Sequence, residues 1–86
     1  MEKKDKKIGK VIHYFDKAMV AVIKLTGGLS VGDTVKFAHA GKEFSQKVGS
    51  MQIEHKSIKS GKAGEEVAIK VDEATHEHAE VYKIEE

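Results

Sequence analysis

The residues here whose types suit chemistry are five histidines, His13, His39, His55, His76 and His78, and a scatter of acids and hydroxyls. His76-Glu77-His78 is the metal-like run, because in an extended segment His76 and His78 share a face and reach one ion. No third ligand stands at a characteristic spacing. The pair reads instead as solvent-facing histidines in a polar loop, and no metal site is expected. His13, His39 and His55 fall at strand ends or turns, where a histidine is more often a rim residue than a base. A serine nucleophile needs a strained turn with a histidine beside it. Ser30 lies in a turn and Ser50 in a strand, and neither has the context of a nucleophile elbow. Glu65-Glu66 and Asp72-Glu73 read as turn and edge residues. No catalytic constellation and no cofactor is expected, so the chain is not read as an enzyme.

The remaining chemistry is charge. A net charge of +1 hides a segregation: residues 1–10 carry +3, residues 11–64 carry +4 and residues 65–86 carry −6. Lys42, Lys47, Lys56, Lys59 and Lys62 form a basic middle and are the candidate nucleic-acid-binding residues. Phosphate contact by such a patch weakens steeply with salt. The same lysines also keep a β-surface soluble, and that reading stays open beside the first. All fifteen basic residues are Lys, which leaves point charges but no bidentate fork and argues against sequence-specific DNA reading. Tyr14, Phe15 and Tyr82 are too few for a strong stacking platform.

Eighty-six residues allow one domain with a small core. Cysteine is absent, which removes disulfides, thiolate metal sites and a thiol nucleophile. No apolar run approaches the roughly 20 residues that span a bilayer, and the basic start lacks the apolar segment of a signal peptide. A cytoplasmic protein with no membrane association is expected.

The elements that must position these residues are strands. Residues 1–7 read as a disordered basic tail, and residues 8–86 as one domain. Ile8–Phe15 is the first strand, Asp16-Lys17 a hairpin turn, and Met19–Leu25 a strand apolar on both faces. The stretch Leu25–Phe37, LTGGLSVGDTVKF, reads as strand, glycine turn, loop and strand, with Gly27 and Gly28 free to take positive φ and Leu29 and Val31 tucked beneath. His39–Lys42 is a short hairpin loop. Glu43–His55 is a long strand in which Phe44, Gln46 and Val48 share a face. A bulge near Gly49-Ser50 would return Met51 and Ile53 to it. Lys56–Gly64 is a polar loop plugged by Ile58. Glu66–Val71 alternates Val67, Ile69 and Val71 inward, Asp72–Ala79 is a loop or one helical turn, and Val81–Ile84 closes the set. The fold expected is all-β, a small closed six-stranded, mainly antiparallel barrel. Its core is Ile8, Val20, Val22, Val35, Phe37, Phe44, Val48, Met51, Ile53, Val67, Ile69, Val71, Val81 and Ile84.

Three motifs in order carry a resemblance: Gly28-Leu29-Ser30-Val31-Gly32-Asp33, Val48-Gly49-Ser50-Met51 and Ala63-Gly64-Glu65-Glu66-Val67-Ala68. Together they resemble the second-domain β-barrel of translational GTPases, the elongation factor Tu type, over Ile8 to Ile84. A similar barrel also ends some peptidase-like enzymes of RNA modification. No phosphate loop is present; Gly61-Lys62 is followed by Ala63 at the wrong spacing, so no GTP binding is expected. The resemblance implies a non-catalytic module connected with translation that contacts tRNA or rRNA. The alternative is an interaction module docking in trans on a GTPase, an RNA-modifying enzyme or another translation-related protein. A metal-dependent enzyme using His76 and His78 is the remaining reading.

Overall fold

The computed structural model describes residues 4–54 and 56–85. The chain is all-β. Among the described residues its strands are β1 (Lys4–Phe15), β2 (Val20–Leu25), β3 (Leu29–Ser30), β4 (Thr34–His39), β5 (Lys42–Lys47), β6 (Met51–Ile53), β7 (Lys56–Ile58), β8 (Ser60–Gly61), β9 (Glu66–Lys70) and β10 (Glu80–Glu85). Eight of them form one antiparallel sheet in the order β5-β4-β10-β1-β2-β9-β6-β7, and β3 pairs with β8 as a separate ribbon. The six strands read from the sequence are thus ten. β1 begins at Lys4, so residues 4–7, assigned to a tail, pair with β10 from Lys4↔Glu85 onward. Residues 1–3 and His55 lie outside the described residues.

β1 is long enough to serve two neighbours. Its register slips between Lys7 and Gly9 against β10 and between Val11 and His13 against β2. Each slip adds local twist and bends the strand. At the first slip, a Cβ on Gly9 would lie 2.6 Å from Ile23 Cγ2 and 2.7 Å from the Lys24 carbonyl, so only glycine fits that approach. The second slip bears on the parity of β2. Ala21, Ile23 and Leu25 face the core, and Val20 and Val22, expected inside, face outward.

The long strand expected over residues 43–55 breaks at Val48–Ser50. Its first part, β5, pairs with β4, and its second part, β6, pairs with β9 and β7. Phe44, Gln46 and Val48 do share a face, and Met51 returns to the core. The polar loop expected over residues 56–64 contains β7 and β8. A Cβ on Gly61 would stand 2.8 Å from Leu25 Cδ1, so β8 crosses directly over the core.

Leu29 is buried as expected, but Val31 is 40% exposed. Gly32, not Gly27 or Gly28, takes the left-handed conformation, with φ of 98°. Asp33 ties this loop: its Oδ2 accepts the Ser30 amide at 2.8 Å, and its own amide donates to the Ser30 carbonyl at 3.1 Å. The Gly32 amide then donates to the Val48 carbonyl at 2.8 Å, which seats the loop beside the end of β5.

The buried core is Ile8, Val11, Ala21, Ile23, Leu25, Leu29, Val35, Phe37, Val48, Met51, Val67, Ile69, Val71, Ala79 and Val81. Phe44 and Ile53 pack against it half-buried, and Ile84 is half-buried at the end of β10. Residues 72–79 form an irregular loop. Within it, the His78 amide donates to Val11 and the Val11 amide to Ala79 at the second β1 slip. No helix among the described residues is long and apolar enough to cross a membrane.

Candidate functional site

The histidine run of residues 76–78 is splayed by its backbone. His78 has a φ of 73°, which turns the chain inside the motif. His76 packs instead on His39 from the β4 end, with ring centroids 5.3 Å apart and planes tilted by 42°. Glu77 reaches the other way, to His13 Nδ1 at 3.8 Å. His76 and Glu77 thus face different partners, His78 lines a shallow cleft with His39 and Lys42, and among the described residues no group of three or more His, Asp or Glu can hold a metal ion.

The His39–His76 pair borders a cleft of about 310 Å³. Its base is an aromatic stack: Phe37 and Phe44 lie opposite each other on β4 and β5, with centroids 5.0 Å apart and planes within 11°. Lys42 and Glu73 stand on its lining with Thr75, which is only 4% exposed. The two elements that form it are the β4–β5 hairpin and the 72–79 loop. The hairpin turns at Ala40 (φ 50°) and Gly41 (φ 83°), the two-residue geometry that follows sheet twist.

The five candidate lysines do not fall on one element. Lys42 and Lys47 are the two ends of β5, five residues apart and so about 17 Å along a strand. Only Lys42 lines the His39–His76 cleft. Lys47 precedes Val48, which pairs with the Gly32-Asp33 loop, and the Lys59 carbonyl accepts the Val31 amide of that same loop. Lys47 and Lys59 thus flank one loop. Lys56 opens β7, which lies at the opposite edge of the sheet from β5. Lys62 sits in the turn where its amide donates to Glu65 Oε1 at 2.7 Å. All five are exposed.

The inverted parity of β2 creates a surface that the sequence reading missed. In the cross-strand rows, Phe15 stands opposite Val20, and Val22 lies between His13 and Ala68. Phe15, Val20, Val22 and Ala68 line an open groove of about 480 Å³, whose lining includes the carboxylates Glu54 and Glu66 and, among the described residues, no lysine. Phe15 is 54% exposed. The only sequence signal was the doubly apolar run Met19–Leu25, which must show one apolar face to the outside.

A second charged cluster lies on β10. The Tyr82 hydroxyl donates to Glu80, and Lys7 stands 3.6 Å away from the same carboxylate. The Tyr82 bond first, and the Lys7 charge second, hold the Glu80 carboxyl below its usual range. The same bond raises Tyr82 above the ordinary phenol value. Both residues are half-buried, and Glu80 borders a shallow cleft of about 280 Å³ that His39, Lys42 and His78 also line.

No protein-family model matches the chain. The chain is 37% identical over 82 residues to an uncharacterized protease of Methanocaldococcus jannaschii, a match that covers 92% of this chain and 20% of that protein. It therefore spans about a fifth of the length of that curated relative. Among solved structures it is similar to the C-terminal domain of a Geobacillus thermoleovorans protein assigned to the U32 peptidases. The TM-score is 0.85 at 18% identity, with 91% of each chain covered. The selenomethionine form of that domain gives a TM-score of 0.82, with 88% of this chain and 96% of that one covered. These likenesses overturn the expected membership among translational GTPase second domains. The reading as a translation module that contacts tRNA or rRNA, or docks on a translation GTPase, falls with it. The three glycine motifs mark corners that a small β-domain needs whatever its host, which is why they pointed to the wrong family.

Proposed function

We propose that this chain is a non-catalytic accessory domain of the kind that ends U32 peptidases, and that it serves a peptidase-type catalytic body through its surface. The observation that carries this reading is the protease match, which takes in nearly all of this chain but only a fifth of the protease. Most of such a protein, and with it the room for a catalytic centre, lies outside the matching segment.

In this reading the sheet curls until it closes as a barrel. Gln46 on the edge strand β5 bonds to backbone at the end of β9, which ties one edge of the sheet order to strands near the other. The groove of Phe15, Val20, Val22 and Ala68 is the docking face. Its occupant is the catalytic body, which presents an apolar side chain flanked by basic groups to meet Glu54 and Glu66. The test has two arms. The purified chain should release no peptides from denatured casein, and measurable hydrolysis that survives repurification would overturn the non-catalytic reading. Affinity capture from the source cells should retain a U32-type peptidase, and Phe15→Glu should lose it at unchanged thermal stability. Equal retention by the variant would overturn the docking face.

A further inference from the structure

The cleft between the β4–β5 hairpin and the 72–79 loop has features that a docking role does not use. Thr75 is nearly fully buried as a residue and lines the cleft, so its hydroxyl is one of the polar groups at that surface. Lys42 and Glu73 line the same cleft, and neither is engaged in an ion pair among the described residues. Nor are His39 and His76, whose rings bring two further hydrogen-bonding groups to it. Beneath them the Phe37–Phe44 stack offers an apolar base. The volume, about 310 Å³, falls at the small end of ligand sites, suited to one small molecule rather than to an extended chain.

From this set we infer that the cleft binds a zwitterionic α-amino acid with an apolar side chain. Lys42 takes the carboxylate, with an imidazole N–H of His39 or His76 as second donor. Glu73 takes the ammonium group, the Thr75 hydroxyl bonds to either polar end, and the side chain rests on Phe44 and Phe37. One cation and one anion in the same small cleft suit a ligand that carries both charges. A simple anion would meet Glu73, and a simple cation would meet Lys42. The same chemistry is offered by a free amino acid and by a short dipeptide, whose charges lie farther apart. The inference does not rest on the accessory-domain reading.

The test is an amide-resolved NMR titration of the full chain with L-leucine, L-leucyl-L-leucine and N-acetyl-L-leucine amide. Saturable shifts at His39, Lys42, Thr75 and His76 with leucine, and none with the blocked amide, are expected. Tighter binding of the dipeptide would support the inference with a peptide as the source, and tighter binding of leucine would support it with the free acid. Thr75→Val keeps shape and burial, so it should fold normally and bind at least tenfold more weakly; Lys42→Met should do the same. Absence of saturable shifts with leucine and dipeptide alike, equal shifts with the blocked amide, or undiminished binding by both variants would overturn it.

Discussion

The side chain of Gln46 clamps the backbone at Asp72: its Oε1 accepts the Asp72 amide at 2.7 Å. Its Nε2 donates to the Lys70 carbonyl at 2.9 Å, so one buried amide group satisfies both faces of a chain segment 24 to 26 residues away. Gln46 sits on β5, at one edge of the sheet order, and Lys70 ends β9, near the other. Gln46 is 7% exposed, and no buried side-chain polar atom among the described residues lacks a partner. A polar residue on a core-facing position is tolerated here because both of its groups are used.

Gln46→Leu should therefore destabilise the fold by about 1–3 kcal/mol, since it removes two hydrogen bonds at once, to the Asp72 amide and to the Lys70 carbonyl. Gln46→Glu should also destabilise, because a carboxylate keeps the acceptor for Asp72 but faces the Lys70 carbonyl with no donor. Urea denaturation checks both. A stability equal to wild type in both variants would show that the two edges are held together by something else.

Ala40 occupies the first left-handed position of the β4–β5 turn, where a Cβ is strained. Ala40→Asn should raise stability by about 0.5–1 kcal/mol, because Asn tolerates that conformation and Asn-Gly suits this two-residue turn. Gly41→Val should lower it, since a β-branched side chain at φ of 83° is a steric outlier. Thermal melts of the two variants should move in opposite directions.

How far these features were legible depends on how each strand was flanked. Val35 and Phe37 alternate with Thr34, Lys36 and Ala38, and Val67, Ile69 and Val71 alternate with Glu66, Ala68 and Lys70, so their inward faces were readable. Val20 to Leu25 offers no such contrast until Lys24. A one-residue slip exchanges every side chain between faces, and the slip in β1 between Val11 and His13 is invisible in composition. The groove lined by Phe15, Val20, Val22 and Ala68 is hidden by that same parity. The two-residue strands Leu29–Ser30 and Ser60–Gly61 are too short for any period to register. Phe44, Gln46 and Val48 were placed on one face, but the Gln46 clamp depends on a partner segment beyond position 69 that local pattern cannot name. The cleft unites residues 37–44 with residues 73–76, a pairing that only the folded sheet brings about.

The Glu80–Tyr82–Lys7 cluster gives the stability a readable pH dependence. Glu80 is lowered from 4.5, so its contribution is fully present at neutral pH and is lost as pH falls through the depressed folded value. Tyr82 is raised from 10.0, so its contribution holds below that value and is lost as pH climbs through the raised one. Tyr82→Phe should move the Glu80 titration midpoint upward, toward 4.5, in a carboxyl-carbon NMR titration. Lys7→Met should move it in the same direction by less. An unmoved midpoint in Tyr82→Phe would mean that the hydroxyl does not hold the carboxylate in solution.

The measurement that bears most directly on the accessory-domain account is photo-crosslinking in the source cells from benzoylphenylalanine placed at Phe15. The account expects adducts whose peptides map to the catalytic body of a U32-type peptidase, and their loss when Val22→Lys puts a charge in the middle of the groove. Adducts confined to translation proteins or to second copies of this chain, or adduct yields that Val22→Lys leaves unchanged, would contradict it.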